Sequence, residues 1–378
     1  MAEPPRTHSQ VNQGRSPAAI VVVGLLGLAG LGWMLWPKGP RPAALEASEA
    51  GSRWLVEPGR AVLQGSTMGT SFSVVLAGDP PPAADLRELQ AAIDAELIEV
   101  NAQMSTYLPD SELSRFNRAP AERDFASSAE LAAVVAEAKR VSESSGGAFD
   151  VTVGPLVDAW GFGPGDPSQR HELDLVEITA LRAAVGDDKL EVDAAGPTLR
   201  KRAAGLRVDL SAIAKGHGCD RVAAVLRAAG HADFMVEIGG EVWAQGQNPK
   251  GDPWKVGVER PTGDAAGERM VQAIVRVTDV GVATSGDYRN YWERDGVRFS
   301  HTIDPRTGRP ITHALASVTV VHPESAALAD AWATALNVLG PAEGLVLAER
   351  EGLAAYFLVR EGEGFVVRTS SGFAGYVD

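Results

Sequence analysis

The stretch Val208–Gly218, VDLSAIAKGHG, constrains the fold of this chain most, because it changes abruptly from one backbone pattern to another. An apolar, strand-like lead-in meets Asp209, and small residues follow before a helical pattern over Cys219–Ala229. Small residues let a ligand approach the backbone where a helix begins. Asp209 could accept a hydrogen bond from a ribose or a ring N–H, and Lys215 could neutralise a phosphate oxygen. Most stretches of this kind only connect a strand to a helix and bind no ligand. Whether Val208–Gly218 binds one therefore depends on the other segments of the chain.

Composition limits the classes of protein to which this chain can belong. Its 378 residues allow about two or three domain-sized units. A content of 45% hydrophobic and 22% charged residues is ordinary for a globular protein with a sizeable core. The net charge of −14 argues against a nucleic-acid-binding surface, and an anionic ligand would need a local lysine or a divalent cation. The one cysteine, Cys219, excludes an intramolecular disulfide and a cysteine-based metal site.

An apolar run near the N-terminus predicts a membrane segment. Residues 17–36 carry no charge, and about 20 apolar residues suffice for a helix to cross a bilayer. Two arginines before the run favour a cytoplasmic N-terminus, although a lysine and an arginine after it weaken that argument. We expect a cytoplasmic N-terminus at 1–16, a transmembrane signal anchor at 17–36, a linker at 37–52 and a globular domain at 53–378. A cleaved signal peptide is the alternative.

Hydrophobic spacing in the globular part predicts helices and strands that do not alternate regularly. Further helical patterns occur at Asp85–Met104, Ser128–Ser144, Ala326–Leu339 and Ala342–Glu351. Strand patterns occur at Ser71–Leu76, Lys189–Val192, Thr198–Lys201, Phe234–Ile238, Trp254–Val258, Val271–Val277, Leu315–Val321, Ala354–Val359 and Phe365–Arg368. Because strict β–α–β alternation is absent, the sequence predicts an α+β fold rather than a doubly wound sheet.

A pair of oxygen-bearing side chains in the helical segment Ala326–Leu339 indicates a cation site. Asp330 and Thr334 are four residues apart, so both project from one face of the helix. Carboxylate and hydroxyl oxygens suit Mg²⁺ better than zinc or copper. The alternative is that Asp330 caps or pairs near the start of the helix and that Thr334 packs in the core.

Two turns place further reactive side chains where a ligand could reach them. Phe299–Pro310, FSHTIDPRTGRP, is a strand that ends in a Pro- and Gly-rich turn and could present His301 to a cleft. Histidine is the side chain best suited to proton transfer near neutral pH. Phe149 and Asp150 follow a pair of glycines and could form a shelf for adenine or flavin. A structural turn and a buried aromatic at the start of a strand are the alternatives.

Eight segments together resemble the ApbE family, the Mg²⁺-dependent FAD:protein FMN transferases, and they follow the order of that family. They are MGTSFSV (Met68–Val74), MSTYLPDSELSRFN (Met104–Asn117), GGAFDVTVGPLVDAWGFG (Gly146–Gly163), VDLSAIAKG (Val208–Gly216), VEIGGEV (Val236–Val242), VATSGDYRNY (Val282–Tyr291), SHTIDPRTGRP (Ser300–Pro310) and ADAWATAL (Ala329–Leu336). The resemblance covers roughly Gln64 to Tyr356. It implies a T-fold-like α+β domain with a mixed sheet, behind the N-terminal transmembrane helix.

The resemblance also implies a role for each matching position. The positions that surround FAD in the family correspond to Met68, Tyr107, Ala148, Phe149, Asp150, Asp209, Lys215 and Ile303. The metal positions correspond to Asp330, to Thr334 and, through its backbone carbonyl, to Ala212, and Ala333 looks placed to line the same site. His301 matches the histidine suspected of deprotonating the acceptor hydroxyl.

The reaction implied by the resemblance is transfer of FMN from FAD, as a substrate, to a protein. A Thr or Ser hydroxyl of a partner, such as a redox-pump or respiratory-chain subunit, attacks the phosphorus of the FMN half, and AMP leaves. Mg²⁺ would bridge the pyrophosphate. We expect the catalytic domain on the periplasmic side of the inner membrane. Two alternatives remain: Mg²⁺-dependent hydrolysis of FAD to FMN and AMP, and a flavin-binding maturation factor without turnover.

Two positions depart from the family pattern. Ser211-Ala212 stands where many members have two glycines, and His217 stands where an aromatic residue is usual. Alanine still leaves its backbone carbonyl available to a metal. His217 would either tune ring stacking or face the solvent.

Overall fold

This computed structural model describes residues 43–45, 47–166, 168, 170–261, 270–286, 290–294 and 296–377. The expected cytoplasmic N-terminus, the membrane segment and the start of the linker lie outside these residues. Within the described ranges, one helix, Ala326–Arg350, is long and apolar enough to cross a membrane, and most of its apolar part is buried inside the protein. That helix is therefore a core element of the globular domain.

Nineteen strands occur in the described part of the chain. The first ten are β1 (Ala43–Ala44), β2 (Arg53–Glu57), β3 (Arg60–Thr67), β4 (Thr70–Ala77), β5 (Asp124–Ala126), β6 (Leu190–Asp193), β7 (Thr198–Lys201), β8 (Phe234–Ile238), β9 (Glu241–Gln245) and β10 (Trp254–Glu259). The others are β11 (Val271–Val277), β12 (Val280–Gly286), β13 (Tyr291–Arg294), β14 (Val297–Ser300), β15 (Ile303–Asp304), β16 (Arg309–Pro310), β17 (Leu315–His322), β18 (Ala354–Glu361) and β19 (Gly364–Thr369).

Ten of these strands form one sheet in the order β1-β2-β3-β4-β8-β9-β12-β17-β18-β19. Every neighbouring pair of described strands in it runs antiparallel. The expectation of a mixed sheet is therefore wrong at the level of strand direction, whereas the expected α+β content is present. Tight turns allow this arrangement, because antiparallel neighbours can be joined by as few as two residues, as between β3 and β4 and between β8 and β9.

Seven α-helices occur in the described residues: α1 (Ala83–Met104), α2 (Glu112–Arg118), α3 (Ala129–Ser144), α4 (Gly154–Ala159), α5 (Leu175–Arg182), α6 (Ala214–Ala228) and α7 (Ala326–Arg350). The central pair, α6 and α7, packs on the sheet. Helix α6 contacts β8 and β9, α7 contacts β12 and β17, and the two helices contact each other. The small hairpin β10–β11 supplies apolar residues to the core on the opposite face.

The two faces of the sheet follow from alternation along the strands. In β4, Phe72 and Val74 belong to the apolar cluster that includes residues of α1 and α6, whereas Val75 belongs to the cluster with β10 and β11. Successive strand residues point to opposite faces, so a run of apolar residues supplies both cores at once.

Helix α7 is two helical segments joined at a kink. Gly340 has non-helical backbone angles, φ 76° and ψ −176°, and Pro341 follows it. His313, which lies outside the helix, partners a backbone carbonyl near the kink. Its Nε2 is 2.8 Å from the carbonyl oxygen of Asn337. The sequence prediction of two helices divided near residue 340 agrees with this geometry.

Candidate functional site

A cavity of about 410 Å³ lies where the start of α6, the middle of α7 and the end of β14 come together. It is lined by eleven of the thirteen sequence-predicted site residues: Tyr107, Ala148, Phe149, Asp150, Asp209, Ala212, Lys215, His301, Ile303, Asp330 and Thr334. Met68 and Ala333 are not among the lining residues. The structure thus gathers most of the predicted site from segments that are more than two hundred residues apart in sequence.

The lead-in to α6 differs from its expected form. Leu206–Leu210 is not a strand; its one β-type contact is an isolated parallel bridge between Arg207 and Val153. The Asn117 side chain instead acts as the partner of Val208, donating to its carbonyl at 2.8 Å and accepting from its N–H at 2.7 Å. The N–H of Asp209 donates to the Val151 carbonyl at 2.7 Å. These contacts hold Asp209 at the cavity wall.

Close packing of α6 on α7 brings their functional residues together. A Cβ on Gly216 would lie 2.2 Å from the Ala326 carbonyl oxygen, so only glycine permits this approach. The carboxylate of Asp220 accepts hydrogen bonds from the Ala326 and Ala327 N–H groups and the Ser325 hydroxyl, and thereby caps the start of α7. The two helix starts are therefore locked beside each other at the cavity.

Asp330 and Thr334 lie on the cavity face of α7, as their spacing predicts. Ala333, next in sequence to Thr334, has no exposed surface and belongs to the hydrophobic core. Its position one residue out of the i, i+4 register turns its side chain away from the cavity.

Lys215 lies between two buried carboxylates. Its Nζ is 3.5 Å from Asp330 Oδ2, 3.4 Å from Glu241 Oε1 and 3.3 Å from the Ser211 carbonyl oxygen. Asp330 Oδ2 also accepts from the N–H of Gly216 at 3.3 Å. Charged hydrogen bonds of this type are usually about 2.7–2.9 Å long, so the ammonium is shared among its partners rather than bound closely to one.

Burial controls the protonation of this cluster. Burial raises the pKa of Asp330 and of Glu241 above their usual values, and the Lys215 ammonium acts against that rise. Burial lowers the pKa of Lys215, but attraction from Asp330 and Glu241 outweighs it, and the pKa of Lys215 rises. The lysine therefore stays charged at neutral pH, and the carboxylates gain from any additional cation.

The residues at this place fit a divalent cation by the chemistry of their donors. The described lining residues include six carboxylates and one lysine: Asp150, Asp209, Glu237, Glu241, Glu259, Asp330 and Lys215. Glu241 Oε2 is buried and has no hydrogen-bond partner in the described part of the chain. Within the described ranges, no three His, Cys, Asp or Glu side chains come together as a metal-binding group, so a cation here would also need other oxygen donors. A cation here would use Asp330, the Thr334 hydroxyl and backbone oxygen, which are donors that suit Mg²⁺.

His301 lies at the end of β14 on the cavity wall and is fixed by Asn290. Its backbone N–H donates to the Asn290 carbonyl at 3.1 Å, and its ring Nδ1 lies 2.9 Å from the same oxygen. A carbonyl oxygen can only accept, so Nδ1 carries the proton in this contact. The neutral ring then has its lone pair on Nε2, the nitrogen that can take a proton.

Stacked aromatic rings hold the β13–β14 hairpin that carries His301. The rings of Trp292 and Phe299 stack with centroids 4.1 Å apart, and Phe299 stacks on Trp160 at 5.7 Å. The Trp292 indole donates to the Trp160 carbonyl at 3.2 Å. Phe162 meets the His301 ring edge-on at 6.3 Å. His301 is therefore positioned by a cluster of stacked aromatic rings.

The predicted flavin-contact residues differ in how they meet the cavity. Phe149 and Asp150 are almost completely buried, and Asp150 Oδ1 accepts from the N–H and the hydroxyl of Thr152. Tyr107 is 64% exposed and stands at the rim. Met68, with φ 49°, forms the β3–β4 turn and packs against both core clusters. A Cβ on Gly218 would lie 2.9 Å from the Met68 methyl, so Met68 contacts α6.

His217 occupies neither of its expected environments. It is not among the residues lining the cavity, and it is only partly exposed. Its Nε2 is buried without a hydrogen-bond partner in the described residues. Burial, together with repulsion from Arg221, lowers the pKa of His217 to about 4, although Glu130 acts in the opposite direction.

Sequence reasoning missed Glu237, Glu241, Asn117 and Phe162 as site residues. All four fall inside segments that resemble the ApbE family. The available signal was the glycine pair between the two acids, since Gly239 and Gly240 have φ of 62° and 110° and form a two-residue hairpin turn. Acids that flank such a turn are held close together, but the sequence does not show toward which face they point.

Comparisons with known proteins match nearly the whole globular part. A sequence profile described as "ApbE family" matches residues 68–357. The chain is 45% identical over 314 residues to a protein of Haemophilus influenzae named "FAD:protein FMN transferase", covering 82% of this chain and 90% of that protein. It is 46% identical over 315 residues to the protein of the same name from Vibrio cholerae, covering 83% and 92% respectively.

Solved structures give the same result for the fold. "Flavin Transferase ApbE from Vibrio cholerae" matches with a TM-score of 0.75 and 43% identity over 84% of this chain and 99% of that chain. The apo form of "Pseudomonas stutzeri flavinyl transferase ApbE" also matches with a TM-score of 0.75, at 41% identity over 84% of this chain and 96% of that chain.

Proposed function

The chain belongs to the ApbE family, and we propose that it is a Mg²⁺-dependent transferase that moves FMN from FAD to a protein. The acceptor is a Thr or Ser hydroxyl of a partner flavoprotein, and AMP is the leaving group. The names of its relatives and of the matching structures support the flavin-transferase part of this proposal.

One observation carries the chemistry: Asp330, Thr334, Lys215 and His301 open onto the same cavity as the predicted flavin-contact residues. A lysine for an anionic substrate, oxygen donors for a cation and a histidine whose Nδ1 faces the Asn290 carbonyl thus lie around one cavity. Catalysis of phosphoryl transfer depends chiefly on positioning the reactants and neutralising their negative charge.

The steps balance with the residues present. The acceptor hydroxyl oxygen forms a bond to the phosphorus of the FMN half, and its proton goes to His301. The bond from that phosphorus to the bridging oxygen breaks, and AMP leaves with the electron pair. Lys215 offsets negative charge on the phosphates and Asp209 orients the substrate through hydrogen bonds. When bound at Asp330 and Thr334, Mg²⁺ would supply Lewis-acid stabilisation of the pyrophosphate oxygens.

The place of action is part of the proposal. The uncharged run at 17–36 supports a single-pass anchor in the inner membrane, with the globular domain on the periplasmic side. The acceptor would then be a periplasm-facing domain of a redox-pump or respiratory-chain subunit with an exposed Thr or Ser.

Product analysis tests the proposal. The globular part from residue 53 onward is incubated with FAD, Mg²⁺ and an acceptor domain, and AMP, free FMN and protein-bound FMN are quantified chromatographically. Transfer predicts AMP equal in amount to protein-bound FMN, little free FMN, and no products after EDTA treatment.

Each other result contradicts the proposal in a different way. Free FMN equal to AMP would identify a hydrolase, and unchanged FAD in the presence of Mg²⁺ and acceptor would identify a binding factor. FMN transfer that persists in EDTA would show that the reaction needs no divalent cation.

A further inference from the structure

Glu241 is the best-defined group in the cavity to which the reaction above gives no role. It is 4% exposed, it lines the cavity at the start of β9, and its position is fixed because its carbonyl oxygen accepts from the Cys219 thiol at 3.2 Å. Its Oε1 faces Lys215, and its Oε2 is buried without a hydrogen-bond partner in the described residues. A buried carboxylate with one unsatisfied oxygen is costly and needs a reason.

The reason lies in a conflict at Asp330. The proposed cation and the Lys215 ammonium both require the Asp330 carboxylate, and two positive groups on one carboxylate repel each other. Lys215 has an alternative, because Glu241 Oε1 is as close to its Nζ as Asp330 Oδ2 is, at 3.4 Å against 3.5 Å. The lysine side chain is 28% exposed, so it has room to move within the cavity.

We propose that Glu241 is a positioning residue that draws the Lys215 ammonium away from Asp330, so that Asp330 can bind a divalent cation while Lys215 stays in the cavity. The inference rests on the proposed function only in taking Asp330 as a cation ligand. The unsatisfied Glu241 Oε2 then has a use, since it can accept a second contact from the displaced ammonium. Glu241 acts through Lys215 and not by touching the cation.

Direct measurement of Mg²⁺ binding by calorimetry, in the absence of FAD, tests this without recourse to activity. Among the described residues, Glu241→Gln leaves Lys215 with Asp330 as its only carboxylate partner. Outer groups of this kind typically change metal affinity by about tenfold or more. We expect the Mg²⁺ Kd of Glu241→Gln to rise about tenfold. Lys215→Met removes the competing ammonium, so we expect it to bind Mg²⁺ at least as tightly as the wild type.

The double variant separates positioning from direct ligation. If Glu241 acts through Lys215, Glu241→Gln has little effect on the Mg²⁺ Kd in the Lys215→Met background. Glu237→Gln is the matched control, because Glu237 lines the same cavity at the other end of the same turn and accepts from the Gly240 N–H at 2.7 Å. We expect Glu237→Gln to raise the Mg²⁺ Kd less than Glu241→Gln does, because the hydrogen bond that Glu237 accepts from the Gly240 N–H involves neither Lys215 nor Asp330.

Three results would overturn the inference. An equal loss of Mg²⁺ affinity from Glu241→Gln in both backgrounds would make Glu241 a ligand. An equal loss of Mg²⁺ affinity in Glu237→Gln would show that any carboxylate of the cavity has this effect through its charge. An unchanged Mg²⁺ Kd in Glu241→Gln would show that Glu241 has no part in cation binding. A wild-type protein that binds no Mg²⁺ would instead contradict the cation part of the proposed function, which keeps the two failures distinct.

Discussion

Protonation of His217 links the stability of the fold to pH in the acid range. Burial lowers its pKa from the ordinary 6.5 to about 4, so the folded protein disfavours the charged ring. A histidine with a depressed pKa stabilises the fold fully above its unfolded pKa, and that stability is lost as the pH falls toward the folded pKa. The window of loss is therefore pH 6.5 to about 4.

We expect His217→Phe to retain stability that the wild type loses in this window. The difference in the free energy of unfolding amounts to about 3 kcal/mol at the acid end, at 1.36 kcal/mol for each pKa unit. Chemical denaturation at pH 7.5 and at pH 4.5 measures it. His171→Gln, at an exposed position, is the control and should follow the wild type. Equal acid losses in wild type and His217→Phe would show that His217 does not titrate on unfolding.

We expect the rate of transfer to depend on His301. His301→Gln removes the proton acceptor but retains a side chain that can contact Asn290. General bases contribute about 10²–10⁴ to rates, so we expect kcat to fall by that order while FAD affinity stays near the wild-type value. Rapid-quench measurement of AMP formation and flavin fluorescence titration give the two quantities. A variant with undiminished kcat would show that His301 takes no proton.

At the scale of elements, we expect the α6–α7 contact to decide whether the proposed cation site at Asp330 forms. Gly216→Ala would place a Cβ against the Ala326 backbone and push the helices apart. Overpacking of this kind costs about 1–3 kcal/mol, and it would also shift Lys215 and the Gly216 N–H away from Asp330. We expect lower stability in denaturant titration together with weaker Mg²⁺ binding in calorimetry.

Gly375→Ala controls for the loss of a glycine as such. No atom lies within 4 Å of the Cβ that it would gain, so its stability should stay near the wild-type value. If Gly216→Ala matched this control in both stability and Mg²⁺ binding, the close helix contact would have no part in forming the site.

The same elements show what hydrophobic pattern can and cannot predict. The strands Thr198–Lys201, Phe234–Ile238 and Val271–Val277 have the predicted bounds, because their alternation or apolar runs end at clear turn residues. Helix α6 begins at Ala214, five residues before its predicted start at Cys219. Gly216 and Gly218 lower helix propensity there, and packing against neighbouring elements outweighs that preference.

Some residues of the candidate site could be predicted from the sequence and others could not. Asp330 and Thr334 share a helix face by spacing alone, so their common direction was predictable, whereas spacing did not show that this face meets a cavity. The direction of a side chain beside a turn depends on which strand pairs with which, and the pairing of β8, β9 and β4 is a long-range property. Glu241 could not be predicted for this reason, and neither could the Asn117 side chain that replaces a strand at Val208.

For the whole molecule, the apolar run at 17–36 predicts membrane attachment. In a bacterial host, the full chain should sediment with membranes and resist extraction by salt and by alkaline carbonate, whereas residues 53–378 alone should not. Leu25→Arg with Leu28→Arg is the control, because each arginine at the middle of such a run costs about 2.5–3.5 kcal/mol of insertion. Release of the unaltered full chain by salt would contradict the anchor.

The net charge of −14 also gives the molecule a particular dependence on cations. An acidic protein whose described cavity residues include six carboxylates and one lysine would repel a pyrophosphate unless a cation offset the negative charge. We therefore expect Asp330 to hold the cation through which this cavity accepts FAD and transfers its FMN half.

The most direct test is the intact mass of an acceptor domain after incubation with FAD and Mg²⁺, using wild type and Asp330→Asn in parallel. Asn is nearly the same size as Asp, but it lacks the negative charge and replaces one acceptor oxygen with an NH₂ donor. We expect a mass gain equal to one FMN residue with the wild type and none with Asp330→Asn. Equal gains with both proteins, or an unaltered acceptor while the wild type converts FAD to FMN and AMP, would contradict it.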